Sequence, residues 1–242
     1  MSSPLPSSSP GTPLRVGLVL LGSPPPGLPD TEGGYLAMFG ALLAPHGIEL
    51  TAFEAQAGEL PGAPGELDGY VLTGSATSVY DDEPWIAAAE AFLRDVVAAG
   101  VPVAGICFGH QLLAQALGGR VEKAAGGWGM GVHAYDLDLD GGPATMRLQA
   151  MHQDQVVALP DGARVWARSA HCPIAGFTVG DRVWTVQAHP EFSAPFAGAL
   201  IDRRRPLVGD DLADAAASTI HDATDHELVA AWIADVLARN VQ

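Results

Sequence analysis

Gly105-Ile106-Cys107-Phe108-Gly109-His110-Gln111 decides how this chain is read. It follows the apolar run Val101-Pro102-Val103-Ala104 and opens a helix-like segment, Leu112 to Leu117, that stops at Gly118-Gly119. A strand that ends in Gly-x-Cys-x-Gly and turns at once into a helix sets one side chain on a sharp bend. The flanking glycines are expected to tolerate the tight backbone there. The helix start offers amides without intrahelical partners and the positive end of the dipole, and both favour a thiolate over a thiol. A packed, inert cysteine beside an apolar strand is the competing reading. Choosing between them requires a base.

Outward from the cysteine, the N-terminal half alternates strands with helices. Arg15 to Leu21 is a nearly unbroken apolar run, as in a parallel strand buried on both faces. Gly33 to His46 has helical spacing and ends at Gly47. Ile48 to Phe53 alternates as a strand, Ala55 to Glu66 reads as a loop, and Tyr70 to Thr73 is a third strand ending at Gly74. Pro84 suits the first turn of a helix that runs to Gly100. Four βα steps up to the cysteine predict an α/β fold: a doubly wound, mostly parallel central sheet with flanking helices. Ligands of such sheets bind at the carboxyl ends of the strands, where Gly74 and Cys107 both fall. Beyond it, Val132 to Leu139 and stretches around Met146, Trp166 and Phe177 read as a few antiparallel strands toward the sheet edge. Val183 to Ala188 rejoins the central sheet, and Glu227 to Arg239 forms a last helix.

The base is sought among eight histidines. His189 ends an apolar strand, and Glu191 follows two residues later, spaced to point to the same side in extended backbone. A cysteine nucleophile needs a histidine within reach and an orienting group behind it. A loop histidine with a solvated glutamate is the plainer reading of His-Pro-Glu in isolation. Two such motifs, each at a strand's carboxyl end, favour catalysis by Cys107, His189 and Glu191.

Gly105 to Leu113 together with His189-Pro190-Glu191-Phe192 resembles the class I glutamine amidotransferases, and most of all their free-standing members similar to GMP synthase. The likeness runs from about Val16 to Phe192, and the residues after it carry no further motif. It implies a flavodoxin-like sheet and hydrolysis of the glutamine side-chain amide through a Cys107 γ-glutamyl thioester. It places oxyanion amides at Phe108 and at the Gly74 turn, where Gly74-Ser75-Ala76 departs from the family's paired glycines or glycine-proline. It also gives substrate contacts to Gln111, Gln153 and Asp154, and needs no cofactor or metal. The ammonia would pass to an acceptor or a separate synthetase subunit. One alternative is a γ-glutamyl peptidase or hydrolase using the same residues on a larger leaving amine; another is a non-catalytic binding or regulatory module.

Composition narrows the partners. Acidic residues outnumber basic ones 28 to 12, for a net charge of −16. Such a surface repels nucleic-acid backbones and anionic lipid, and Arg203-Arg204-Arg205 is too short a run to reverse that. No apolar run reaches the ~18 residues that span a bilayer. Residues 1–13 read as a disordered tail without a secretory signal, and residues 14–242 as one domain in the cytoplasm. The two cysteines form no disulfide framework. Cys107 and His110 have a metal-like spacing but no second pair nearby. His171-Cys172 reads as packed rather than redox-active, His152 as a polar loop residue or a pocket support. Trp128, within Gly126 to Gly131, is either core or a mobile lip over substrate.

Overall fold

The computed structural model describes residues 12–139 and 141–240. The expected tail therefore lies, over residues 1–11, outside the described part. The sheet has nine strands in the order β2-β1-β3-β4-β11-β10-β9-β6-β7. Its parallel part comprises β1 (Leu14–Leu20), β2 (Ile48–Glu54), β3 (Gly69–Leu72), β4 (Val103–Ile106) and β11 (Val183–Val186). Four antiparallel strands extend the β11 side: β10 (Gly176–Val179), β9 (Ala163–Arg168), β6 (Gly129–Leu137) and β7 (Thr145–His152). A separate two-stranded ribbon pairs β5 (Arg120–Lys123) with β8 (Asp154–Ala158).

The central strands are short and apolar because both faces are covered. In β1, Val16, Leu18 and Leu20 join one core while Val19 and Leu21 beside them join the other. The first core is closed by α1 (Gly34–Leu43) and α6 (His226–Leu237), the second by α2 (Pro84–Ala98) and α3 (Phe108–Ala116). Gly47, at φ 74°, stops the chain after α1 as its sequence position predicts. The step from β2 to β3 is a loop, as its sequence reads, with one 3₁₀ turn (Ala55–Ala57) and no helix.

After β11 come α4 (Ala194–Val208) and α5 (Asp210–Ala217), neither legible from hydrophobic spacing. Ser193 caps α4, its hydroxyl accepting from the Phe196 amide at 3.2 Å. In the antiparallel half, Trp166 stacks on Trp184 at 4.9 Å and meets Trp232 edge-on at 5.6 Å. Among the described residues no helix is long and apolar enough to cross a membrane.

Candidate active site

Three neighbouring parallel strands deliver the predicted residues to one sheet edge. β3 leads to Gly74, β4 to Cys107, and β11, through Gln187 and Ala188, to His189. Cys107 occupies the junction between β4 and α3 at φ 52° and ψ −104°, a sparsely populated conformation that costs of order 1–3 kcal/mol. The bend is held on both sides. The Cys107 amide donates to the Val186 carbonyl at 2.9 Å, and the Gly109 amide to the Thr73 carbonyl at 3.1 Å.

The flanking glycines serve a different purpose from the one expected. The positive φ belongs to Cys107 itself, and neither Gly105 nor Gly109 has one. What they provide is close approach. A Cβ on Gly109 would stand 2.5 Å from Leu72 Cβ and 2.8 Å from the Leu72 carbonyl oxygen. A Cβ on Gly105 would stand 2.6 Å from the Gly109 carbonyl oxygen. Gly74 is less constrained: a Cβ there would meet His189 Cε1 at 3.2 Å, a tight approach, and Cys107 Cβ at 3.8 Å, an ordinary contact.

His189 is fixed from three directions. Its amide donates to the Gln149 carbonyl at 2.8 Å, its ring stacks on Phe192 at 3.8 Å, and Nδ1 lies 2.8 Å from Glu191 Oε1. The Glu191 side chain is wholly buried. Burial opposes charge on the imidazole, yet the Cys107 thiolate and the Glu191 carboxylate, each hydrogen-bonded to it, push the His189 pKa up to about 10. The three side chains thus lie in one buried row, sulfur to imidazole to carboxyl.

The pocket in front of Cys107 has a volume of about 250 Å³ and is lined by Ser78, Gln111, Met151 and Asp154 among others. Gln111 donates through Nε2 to the Asp154 carbonyl at 2.8 Å and to Gln187 Oε1 at 3.1 Å. Both its amide protons are thereby used, which leaves Oε1 as its free polar atom. The Asp154 carboxylate accepts from Ser78 Oγ at 2.6 Å and from the Tyr80 hydroxyl at 3.0 Å. Gln153 lines the same pocket while its carbonyl accepts from the Ala124 amide. Ser75, in place of a second glycine, turns its hydroxyl to Thr77 Oγ1 at 2.5 Å.

Three residues around the site escaped the sequence reading. Gln187 donates through Nε2 to Cys107 Sγ at 3.6 Å. Lys123, the only lysine in the chain, and Arg204 both line the pocket. The single lysine of so acidic a chain was a visible signal, but only the β5–β8 pairing, Lys123 opposite Asp154, brings it to the site.

Other flagged residues fall into structural roles. His110 is buried, lies against the Phe177 ring at 5.1 Å in a tilted pair and sits 2.8 Å from Thr185 Oγ1. The Thr185 hydroxyl already donates to the Phe177 carbonyl, so His110 Nδ1 is the donor in that pair. His152 is buried at the pocket wall, and burial followed by His171 lowers its pKa to about 3. Cys172 is buried too, and burial pushes its thiol up to about 12, in keeping with a packed role. Trp128 is half-buried, packed against the core with part of its surface on the pocket. Among the described residues no three His, Cys, Asp or Glu side chains cluster as metal ligands would.

Comparison with known proteins adds the family. The glutamine amidotransferase class-I profile matches residues 32–202. Gamma-glutamyl peptidase 3 of Arabidopsis thaliana is 29% identical over 208 residues, 80% of this chain and 84% of that protein. A glutamine-hydrolysing GMP synthase of Aeropyrum pernix is 35% identical over 167 residues, 67% of this chain and 31% of that protein. The crystal structure of a glutamine amidotransferase from Thermotoga maritima superposes with a TM-score of 0.73 at 21% identity, covering 95% of this chain and 98% of that one. The chain belongs to the class I glutamine amidotransferase family.

Proposed function

We propose that this protein hydrolyses the side-chain amide of a γ-glutamyl group, with glutamine as the parent substrate, through a thioester on Cys107. The observation that carries this reading is the buried chain from Cys107 through His189 to Glu191, with His189 held as an imidazolium. The Cys107 thiolate attacks the amide carbonyl. The negative charge on the carbonyl oxygen falls at the start of α3, where the Phe108 amide has no intrahelical partner, and beside the Gly74 turn. When the C–N bond breaks, His189 gives its proton to the departing nitrogen, so ammonia or an amine leaves and the acyl group stays on sulfur. His189, now neutral, takes a proton from water, the hydroxide attacks the thioester, and the C–S bond breaks to return the thiolate. Glu191 fixes the ring and stabilises its charged form.

The amino-acid end of the substrate finds opposite charges side by side. An α-amino acid carries ammonium and carboxylate on one carbon. Lys123 and Asp154 are cross-strand partners facing the same pocket, so Asp154 suits the ammonium and Lys123 the carboxylate. Gln111 and Gln153 complete this wall, Gln111 by holding Asp154 and Gln187 in place. Release of ammonia to a synthetase subunit is one outcome of this chemistry. Release of a larger amine, as in a γ-glutamyl peptidase, is the other, and Arg204 bears on that choice. Cys107→Ala is expected to abolish ammonia release from glutamine and labelling by a glutamine-like electrophile. Undiminished turnover in that variant would refute the thioester route.

A further inference from the structure

The cations of this chain are almost all spoken for. Among the described residues, eight arginines lie within ion-pair distance of a carboxylate, and Arg239 donates to the Asp181 carbonyl. Lys123, Arg203 and Arg204 make no such pair among those residues, and two of these three line the pocket of Cys107. In a molecule of net charge −16, unpaired cations gathered at one cleft mark an anion's place.

Arg204 is also held in position. Neighbouring side chains on α4 take opposite courses: Arg205 turns to Asp202, Asp210 and Asp214, whereas Arg204 lies over the ring of Trp128 at 5.1 Å from its centre. A guanidinium stacked on an indole keeps its edge N–H groups free for a planar, bidentate partner. The stack therefore presents a carboxylate receptor at the pocket mouth with its rotamer already limited.

Charge arithmetic then separates the two substrates. Asp154, Lys123 and Arg204 sum to +1, whereas zwitterionic glutamine sums to zero. A γ-glutamyl group joined to an amino acid through its α-nitrogen carries one ammonium and two carboxylates, and sums to −1. With Asp154 and Lys123 matched to the γ-glutamyl end, Arg204 is left over for a second carboxylate.

We propose that Arg204, laid on Trp128, recognises a carboxylate on the leaving amine, so that the preferred substrates are γ-glutamyl peptides ending close to the scissile bond rather than glutamine. This rests on the thioester hydrolysis proposed above. The reaction is simple hydrolysis: water adds, the γ-glutamyl C–N bond breaks, and glutamate and a free amino acid leave.

The test compares γ-glutamylglycine with γ-glutamylglycinamide, which differ in one charge at nearly constant shape, by release of glycine or glycinamide from the full chain. The native protein is expected to favour the carboxylate by about tenfold or more in kcat/KM, the least that a charge-assisted hydrogen bond supplies. That preference is expected to appear in KM. In Arg204→Gln the ratio should collapse toward one, Arg204→Lys should keep part of it, and Trp128→Leu should reduce it by freeing the guanidinium. A native ratio near one overturns the assignment. So does an Arg204→Gln variant that lowers both substrates equally, which would put Arg204 on the shared γ-glutamyl carboxylate instead. Absence of turnover on both substrates and on glutamine would refute the thioester reading itself.

Discussion

Replacing Glu191 with glutamine keeps the outline of the side chain and deletes its charge, which isolates what the carboxylate does for His189. Glu191 Oε1 lies 2.8 Å from His189 Nδ1, with 4% of the imidazole and none of the carboxylate side chain exposed. Burial pulls the His189 pKa down, and the Cys107 and Glu191 charges together lift it to about 10. A hydrogen bond to a charged group is worth about 1.5–3 kcal/mol. At 1.36 kcal/mol per unit, its loss lowers the imidazolium by about 1–2 units, to about 8–9. In the proposed route the imidazolium protonates the leaving nitrogen, so activity falls as pH rises through its pKa. The alkaline limb of kcat/KM for glutamine, followed by ammonia release, is therefore expected near pH 10 in the native protein and about 1–2 units lower in Glu191→Gln. The rate at neutral pH should also fall, by about a hundred- to ten-thousandfold, because an amide NH₂ opposite Nδ1–H no longer holds the ring. An alkaline limb that stays in place in Glu191→Gln, or neutral-pH activity equal to the native value, would refute this account of His189.

Two further expectations concern stability. Gly109→Ala drives a methyl into Leu72 Cβ and its carbonyl, both part of the β3 framework rather than the end of a flexible chain, so about 1–3 kcal/mol should be lost in urea denaturation. Electrophile labelling of Cys107 should slow in the same variant, and an unchanged urea midpoint would show that α3 moves away freely. Burial lowers His110 and His152 from 6.5 to about 3, so the unfolded chain takes up protons at a pH where the folded chain does not. Their contribution is complete above about pH 6.5 and is lost as pH falls toward 3, at about 2 kcal/mol for each ring by pH 5. Urea midpoints at pH 7 and pH 5 measure this, and equal midpoints would mean that both rings ionise inside the fold.

The elements legible in the sequence are those whose environment is uniform. β1, β3, β4 and β11 are buried on both faces, so composition alone marks them. The residues they carry to the sheet edge, Cys107 and His189, could be named because position at a strand end is itself information. What stayed hidden depends on partners distant in sequence. β5 reads Arg-Val-Glu-Lys with only Val121 buried, and it becomes a strand through β8 thirty residues on. α4 carries three consecutive arginines and an internal Pro206, so no apolar stripe announces it. Nothing local tells that Arg205 faces an acidic cluster and Arg204 an indole. The glycines around Cys107 were rightly singled out for the wrong reason, because contact with Leu72 across the sheet leaves no trace in the local pattern.

That contrast between legible and hidden residues follows a division within the site. The strained cysteine is tied by its own amide to β11, by the Gly109 amide to the end of β3, and by His110 to Thr185 of β11. These same ties set its separation from Gly74 and His189. Bending strain of order 1–3 kcal/mol thus persists because relieving it would require parting strands whose side chains fill both cores. The mouth is built otherwise: Lys123 on a two-stranded ribbon, Trp128 in a glycine-rich approach to β6, Arg204 on α4. None of the three belongs to a parallel strand, so on the proposed route changing Trp128 or Arg204 is expected to alter which amine is accepted, and changing Lys123 the hold on the γ-glutamyl end, without disturbing the geometry that cleaves the bond. On the proposed route, chemistry resides in the part of the fold that packing makes rigid, and choice of leaving amine in elements outside the parallel sheet.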